Sequence, residues 1–137
     1  MTASLLLDTY ALIWLLNGDE MESAALDAVE KAASDGSLNV SAITAWEVAT
    51  LEAKGRITLT MPVETWFERA ENLPGLDISV LSAKILMAST RLPGTPPNDP
   101  ADRMIIATAR EQAMSVVTRD QRILSYAEQG YISAIKC

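Results

Sequence analysis

The sequence contains no histidine and a single cysteine, Cys137, among its 137 residues. The absence of histidine excludes Ser-His-Asp and Cys-His catalysis, histidine metal sites and histidine proton shuttles. One cysteine cannot form an intramolecular disulfide or a thiolate zinc site. Any metal that this chain binds must therefore be a hard cation held by oxygen ligands, such as Mg²⁺, Mn²⁺ or Ca²⁺.

Aromatic residues and long apolar runs are also scarce. Aromatics make up 5% of a chain that is 49% hydrophobic, so aliphatic side chains and alanine must fill the core. The most apolar stretch, 5–16, is shorter than the roughly 18 residues that a membrane span needs. No cationic segment precedes it, so we expect no secretory signal, no membrane contact and a cytoplasmic location. Trp14, Trp46 and Trp66 are predicted to lie in the core, unless a second subunit or a partner covers part of the first helices.

Positive charge is in the minority. The chain has 11 Lys and Arg against 18 Asp and Glu, which gives a formal net charge of −7. Such a balance argues against a broad nucleic-acid-binding surface, which is usually basic. A bound divalent cation would reverse that argument locally.

Strand-like and helix-like segments alternate along the chain, and this pattern predicts an α/β fold with βαβ units around a parallel sheet. The predicted strands are 4–8, 38–40, 76–81, 115–118 and 131–135. The predicted helices are 9–16, 21–33, 41 or 44 to 54, 63–73, 82–92, 99–113 and 120–129. A short extended segment at 57–60 and a loop at 93–98 complete the chain.

Four carboxylates lie at a strand end or on the apolar face of a predicted helix. Asp8 follows three leucines, and Glu47 shares a helical face with apolar residues at i−4 and i+4. Asp102 and Asp120 each precede apolar residues at i+3, i+4 and i+7. Because apolar stripes face the core, these four acids should point inward.

Each acid also has a purely structural explanation. Asp120 fits a helix N-cap, Asp102 suits a first helical turn, Glu47 would complete a capping box with Thr44, and Asp8 could end a turn. No set of inward cations accompanies the acids, so together they would repel one another and raise their own pKa values. A divalent cation removes that conflict. We therefore interpret the four as an oxygen-ligated metal site, of the kind that serves attack of water on phosphorus.

Four stretches, in this order, resemble the PIN-domain family and more narrowly the VapC-type toxins of bacterial toxin–antitoxin pairs. They are LLDTYALIWL at 6–15, VSAITAWEVA at 40–49, DPADRMIIATA at 99–109 and VVTRD at 116–120. The resemblance extends over essentially the whole chain. It implies a single PIN domain over residues 1–137, built as a three-layer α/β/α sandwich with a central, mainly parallel sheet of about five strands.

The resemblance also implies a Mg²⁺- or Mn²⁺-dependent ribonuclease that a cognate antitoxin holds inactive. The family's four acids fall on Asp8, Glu47, Asp102 and Asp120, so these residues are the predicted catalytic and metal-binding set. Hydrolysis by metal-activated water would leave 5′-phosphate and 3′-hydroxyl ends. Tyr10 departs from the family, in which many members carry histidine at this position.

The predicted roles differ among the site residues. We expect Asp8 and Asp102 to be direct metal ligands, Asp120 to ligate directly or through water, and Glu47 to ligate or to orient the attacking water. Five further residues are accessory candidates. Asp99 is expected to be a helix cap or a ligand. Thr9 and Thr118 would contact water or phosphate, or serve only as a cap and a strand-end residue, and Arg103 and Arg119 would contact RNA phosphates or lie solvated at helix starts.

The predicted partners are an RNA substrate, a second copy in a homodimer, and a VapB-like antitoxin. We hypothesise that a basic, Arg-bearing tail of the antitoxin enters the acidic pocket and displaces the metal.

Two alternatives to a nuclease remain at the level of sequence. A haloacid-dehalogenase-like phosphatase uses a strand-end Asp as nucleophile with a second Asp two residues on, but Tyr10 occupies that second position here. A non-catalytic α/β binding module, whose acids are helix caps, would show no metal-linked stability. Nucleotide-binding folds are disfavoured because neither a Walker A run nor Gly-x-Gly-x-x-Gly occurs.

Overall fold

The protein is described here by a computed structural model that covers residues 4–137. The strands are β1 Leu5–Leu7, β2 Leu38–Ser41, β3 Leu76–Ser79, β4 Ser115–Thr118 and β5 Ser133–Lys136. The helices are α1 Thr9–Asn17, α2 Ser23–Ser34, α3 Ile43–Ala53, α4 Val63–Glu71, α5 Ala83–Ser89, α6 Pro100–Gln112 and α7 Gln121–Glu128. Within the described range, no helix is both long and apolar enough to cross a bilayer.

The five strands form one parallel sheet in the order β3-β2-β1-β4-β5. The central strand β1 pairs on both sides, so that Leu5 is in register with Leu38 of β2 and with Ser115 of β4. The chain moves outward from β1 to β3 and then returns to the other side of β1 for β4 and β5. Ligands of open α/β sheets bind where the strand order reverses in this way, outside the carboxyl ends of the strands.

Helices cover both faces of the sheet, so a hydrophobic core lies on each face. Successive residues of β1 point alternately into the two cores. Leu5 and Leu7 pack into a cluster that includes residues of α1, α2 and α4. Leu6 points the other way, into a cluster with residues of α6 and α7. The predicted three-layer α/β/α sandwich around a parallel sheet is therefore confirmed.

Several predicted boundaries were wrong at the edge of the sheet. Strand β3 ends at Ser79, and Val80 beyond it is 75% exposed. Helix α5 ends at Ser89 rather than at residue 92, since the hydroxyls of Ser89 and Thr90 donate to carbonyls one turn back and compete with the helical pattern. The short segment at 57–60 lies outside the strands and helices.

The tryptophans do not share the core equally. Trp66 is buried and Trp14 is partly buried, whereas Trp46 is 61% exposed on α3. The prediction of a core position for Trp46 was wrong. The α3 side chains that pack inward, such as Val48 and Leu51, lie on another face of the helix.

Candidate active site

Asp8 lies at the carboxyl end of the central strand and is 6% exposed. Its Oδ1 accepts a hydrogen bond from the Ala11 backbone N–H at 2.8 Å, so Asp8 is the N-cap of α1. Its Oδ2 accepts from the Thr118 hydroxyl at 2.5 Å. The prediction of Thr9 as the cap was wrong, since Thr9 is the first residue of the helix.

Thr118 connects two of the predicted acids at the end of β4. Its hydroxyl donates to Asp8 and accepts from the Asp120 backbone N–H at 3.0 Å. The residue has no exposed surface. Thr118 therefore positions the acids, which favours its interpretation as a strand-end residue.

Glu47 reaches the same region from α3. Its Oε1 accepts from the Thr9 hydroxyl at 2.5 Å, and that hydroxyl also lies 3.3 Å from the Thr44 hydroxyl. The capping box considered from the sequence does not form, because α3 begins at Ile43 after Ala42, which makes no side-chain cap. Thr9 thus positions Glu47, one turn inside the helix.

The start of α6 supplies two carboxylates with different roles. Asp99 is the N-cap, since its Oδ1 accepts from the Asp102 backbone N–H at 3.0 Å, and Pro100 follows it as the first helical residue. The Asp102 side chain is only 15% exposed. Burial, followed by the charges of Asp99, Asp120 and Glu47, raises the pKa of Asp102 to about 7.

Asp120 is the N-cap of α7, accepting from the Arg122 backbone N–H at 2.8 Å. The Arg122 guanidinium turns back over the cap, with Nη2 at 3.1 Å from Asp120 Oδ2 and 4.0 Å from Asp102 Oδ2. Burial raises the pKa of Asp120, but the hydrogen bonds and charge of Arg122 outweigh burial and leave that pKa below its usual value. One exposed cation, Arg122, thus accompanies the acids, although it is not an inward-pointing one.

One cavity of about 480 Å³ brings these side chains together at the carboxyl edge of the sheet. All four predicted acids line it, and so does Asp99. Arginines of the described chain line it as well, namely Arg56, Arg119 and Arg122. Five carboxylates against three guanidiniums leave two formal negative charges, if all are ionised.

Burial and mutual repulsion act on the acids of this cavity. Burial raises the pKa of Asp8 to about 6, although the Thr118 and Ala11 hydrogen bonds act in the opposite direction. The pKa of Glu47 is also raised, first by burial and then, against the Thr9 hydrogen bond, by the charges of Asp99 and Asp8. Both acids are thus held in surroundings that disfavour their ionised forms, as the grouping predicted.

Comparison with known proteins establishes the family. The PIN domain model matches residues 5–129. The chain is 37% identical over 127 residues to Ribonuclease VapC22 of Mycobacterium tuberculosis (strain ATCC 25618 / H37Rv), covering 92% of this chain and 93% of that protein. The chain belongs to the PIN-domain family. This membership replaces the haloacid-dehalogenase alternative.

Solved structures share the fold of this PIN domain. FitAcB from Neisseria gonorrhoeae gives a TM-score of 0.63 at 24% identity, with 96% of each chain covered. DNA-bound VapBC from Salmonella typhimurium gives 0.67 at 18% identity, with 98% of each chain covered. VapBC2 from Rickettsia felis, bound to a promoter DNA fragment, gives 0.66 at 16% identity, covering 97% of this chain and 98% of that one.

The two candidate phosphate-binding arginines have different positions in the PIN domain. Arg103 is partly buried, and its Nε donates to the Pro97 carbonyl at 2.8 Å. It fastens the 93–98 loop and does not line the cavity. Arg119 is exposed, lines the cavity and stands 3.7 Å above the ring centre of Trp14.

The donor chemistry of the cavity suits a hard divalent cation. Buried carboxylate oxygens are the ligands that Mg²⁺ and Mn²⁺ prefer. The raised pKa values of Asp8, Glu47 and Asp102 show acids whose ionised forms such a cation would stabilise. Within residues 4–137, however, no three acidic or cysteine side chains lie close enough to form a ready-made metal site. Binding of one ion by three of these acids would require their side chains to rotate.

Sequence reasoning missed Arg56, Arg122 and Trp14 as cavity residues. Arg122 lies two residues after Asp120, a spacing that does not place two side chains together inside a helix. The contact arises because Asp120 is the cap and lies just outside the helix. An N-cap followed by arginine at the second helical position is the signal that would have found it.

Proposed function

We propose that this PIN-domain protein is a Mg²⁺- or Mn²⁺-dependent endoribonuclease and the toxin of a toxin–antitoxin pair. The observation that carries the proposal is the group of four inward acids around one cavity, at the point where the strand order reverses. The relative with 37% identity is a ribonuclease by name, which supports RNA as the substrate class.

Asp8, Glu47, Asp102 and Asp120 would hold the cation. When bound, Mg²⁺ or Mn²⁺ supplies an acidified water and neutralises charge on the phosphate. Asp8 offers rigid oxygens, because the Ala11 N–H and the Thr118 hydroxyl hold both of them. Asp102 and Asp120 face it from α6 and α7.

Glu47 is best placed to orient the attacking water. The Thr9 hydroxyl fixes one of its oxygens and leaves the other for a second partner. Hydrolysis adds water across a P–O bond, so that the hydroxide part joins phosphorus and the leaving ribose oxygen takes a proton. The products implied are a 5′-phosphate and a 3′-hydroxyl.

The proposal is tested by combining cleavage and thermal unfolding for wild type and Asp8→Asn, with Mn²⁺ or with a chelator. We expect wild type to cleave RNA with Mn²⁺ and to gain several degrees in Tm, since a ligand that binds the folded state stabilises it. Asp8→Asn should lose at least about 100-fold in cleavage and most of the Tm gain. Asparagine caps helices as well as aspartate does, so α1 should remain intact.

Asp77→Asn is the matched control. Asp77 is an exposed aspartate on β3, outside the cavity, and its substitution should change neither cleavage nor the effect of Mn²⁺. Cleavage by wild type that is unaffected by chelator, or equal in Asp8→Asn, would falsify the nuclease assignment.

The partner proposed is a VapB-like antitoxin, as in the Salmonella and Rickettsia complexes. An arginine-bearing tail matches the two excess negative charges of the cavity and would compete with the cation there. An arginine-containing peptide should raise the apparent Kd of Mn²⁺, measured by calorimetry. The same peptide without lysine and with alanine in place of arginine should not. Equal Mn²⁺ affinity with both peptides would contradict this mode of inhibition.

A homodimer is proposed as the assembly. Large apolar side chains are exposed away from the cavity, including Trp46, Val80 at 75% and Met87 at 58%. Sedimentation equilibrium at micromolar concentration should give twice the 14.8 kDa chain mass. A monomer mass at all concentrations would overturn this part of the proposal.

A further inference from the structure

Tyr10 is a cavity residue that hydrolysis of a phosphodiester does not require. It lies in the first turn of α1, two residues after Asp8, and is 44% exposed. Its side chain lines the same cavity as the acids. We propose that Tyr10 is the stacking site for one unpaired nucleobase of the RNA, beside the phosphate that is cleaved. This inference rests on the proposed ribonuclease function.

The Tyr10 ring belongs to a column of three planar side chains, which are Tyr10, Trp14 and Arg119. Tyr10 packs against Trp14, four residues on along α1, with ring centres 5.9 Å apart and planes inclined at 35°. The Arg119 guanidinium lies 3.7 Å from the centre of the Trp14 ring. Arg119 in turn donates to the Glu20 and Cys137 carbonyls, each at 3.1 Å. Tyr10 is the exposed aromatic ring of this group, and Arg119 holds the other ring, Trp14, from behind.

A nucleobase is the ligand that this column suits. Aromatic side chains beside a charged groove bind single-stranded nucleic acid by stacking, and every base offers a flat face. Bases inside a duplex are already stacked, so the site selects an unpaired nucleotide. Arg56 and Arg119 line the same cavity and give cationic contacts for the adjoining phosphates.

The position of Tyr10 also defines where the base must lie. Asp8 is the predicted metal ligand closest in sequence, and the ring follows it after only two residues, about half a helical turn. A base stacked on Tyr10 would therefore belong to a nucleotide that adjoins the cleaved bond. Stacking there would order the strand for attack and would show itself in KM more than in kcat.

The experiment is a double-mutant cycle between protein and RNA. The substrate is a single-stranded oligonucleotide that wild type cleaves with Mn²⁺, chosen from a randomised pool, together with versions that lack one base near the cleaved bond. We expect Tyr10→Ala to lower kcat/KM about tenfold, mainly through KM, within the range that loss of one stacked base gives. Tyr10→Phe, which keeps the ring, should remain within twofold of wild type.

The cycle separates stacking from a structural role. At one position, removal of the base should cost wild type about tenfold and should cost Tyr10→Ala almost nothing further. Tyr131→Ala is the control, because Tyr131 is similarly exposed at 39% but lies outside the cavity. It should cleave all substrates as wild type does.

Three outcomes would overturn the stacking site while leaving the ribonuclease function intact. They are full activity of Tyr10→Ala, equal losses for Tyr10→Ala and Tyr10→Phe, and base-removal effects that simply add to the effect of the mutation at every position. Normal RNA cleavage combined with weaker inhibition by an antitoxin would assign Tyr10 to a protein contact instead. Failure of wild type to cleave any RNA with Mn²⁺ would mean that the proposed function itself is wrong.

Discussion

At the scale of single residues, the carboxylates of the cavity divide by what else they do. Asp8, Asp99 and Asp120 cap α1, α6 and α7 through backbone N–H groups. Among the described residues, nothing donates a hydrogen bond to the Asp102 carboxylate, and its one cation, Arg122, stands 4.0 Å away. Asp102 therefore costs the folded state free energy without capping a helix.

Asp102→Asn is expected to stabilise the metal-free protein at pH 8. The pKa of this carboxyl is raised from 3.8 to about 7, so at pH 8 folding holds an ionised group in surroundings that disfavour it. Allowing for its partial exposure, we expect a gain of about 1 kcal/mol, or a few degrees in Tm. Thermal unfolding with chelator present measures it. A loss of several kcal/mol would show that Asp102 is structural.

The same pKa shift fixes how stability depends on pH. Between pH 4 and 7 the folded state binds more protons than the unfolded state, so stability falls as pH rises through this window. Asp8, with a pKa of about 6, acts in the same direction. The metal-free wild type should have a higher Tm at pH 5.5 than at pH 8, and Asp102→Asn should reduce the difference. An unchanged difference in the variant would contradict the assignment to Asp102.

At the scale of elements, three helices begin at the rim of one cavity. The sequence pattern gave a structural role and a metal-ligand role as alternatives for Asp8 and Asp120, yet each caps its helix and also lines the cavity. A cap uses part of one carboxylate's hydrogen-bonding capacity and leaves further lone pairs free. The two roles are compatible, which is why local patterns could not decide between them.

The elements themselves were largely predictable, because buried parallel strands are continuous apolar runs and glycine or proline ends most of the helices. The four acids could be chosen for a related reason, since an acid on an apolar stripe must point inward. The contact of Arg119 with Trp14 could not be predicted in this way. It depends on how α1 and the end of β4 meet, and no spacing within one element encodes that meeting.

Gly75, in the turn between α4 and β3, tests how closely that turn packs against α2. Its φ is 82°, and a Cβ there would fall 1.8 Å from the Ala33 carbonyl oxygen. Gly55 has a similar φ of 70° but open space around it. Alanine at either position should lower the free energy of unfolding by about 1–2 kcal/mol, because the backbone there is left-handed. Gly75→Ala should be destabilised by about 2 kcal/mol more in chemical unfolding, and equal losses would contradict the close approach.

At the scale of the whole molecule, the protein and its proposed RNA substrate both carry net negative charge. The net charge of −7 makes long-range attraction of RNA unfavourable. The positive charge available to the proposed substrate is local, given by Arg56, Arg119 and Arg122 at the cavity and, under the proposed function, by a divalent cation. Few phosphates are then neutralised, and recognition depends on the cavity rather than on the surface.

This arrangement predicts a shallow salt dependence. Release of counterions from single strands gives a slope of about −0.7 per neutralised phosphate in a plot of log affinity against log salt. Three arginines therefore predict a slope of about −2, or a loss of about 16-fold in kcat/KM between 50 and 200 mM KCl at saturating Mn²⁺.

Arg56→Gln should make the slope shallower by about 0.7. Arg91→Gln, an exposed arginine outside the cavity, should leave it unchanged. A slope steeper than about −4 would mean that RNA also follows a basic path over the surface, and that the cavity is not where most of the binding occurs.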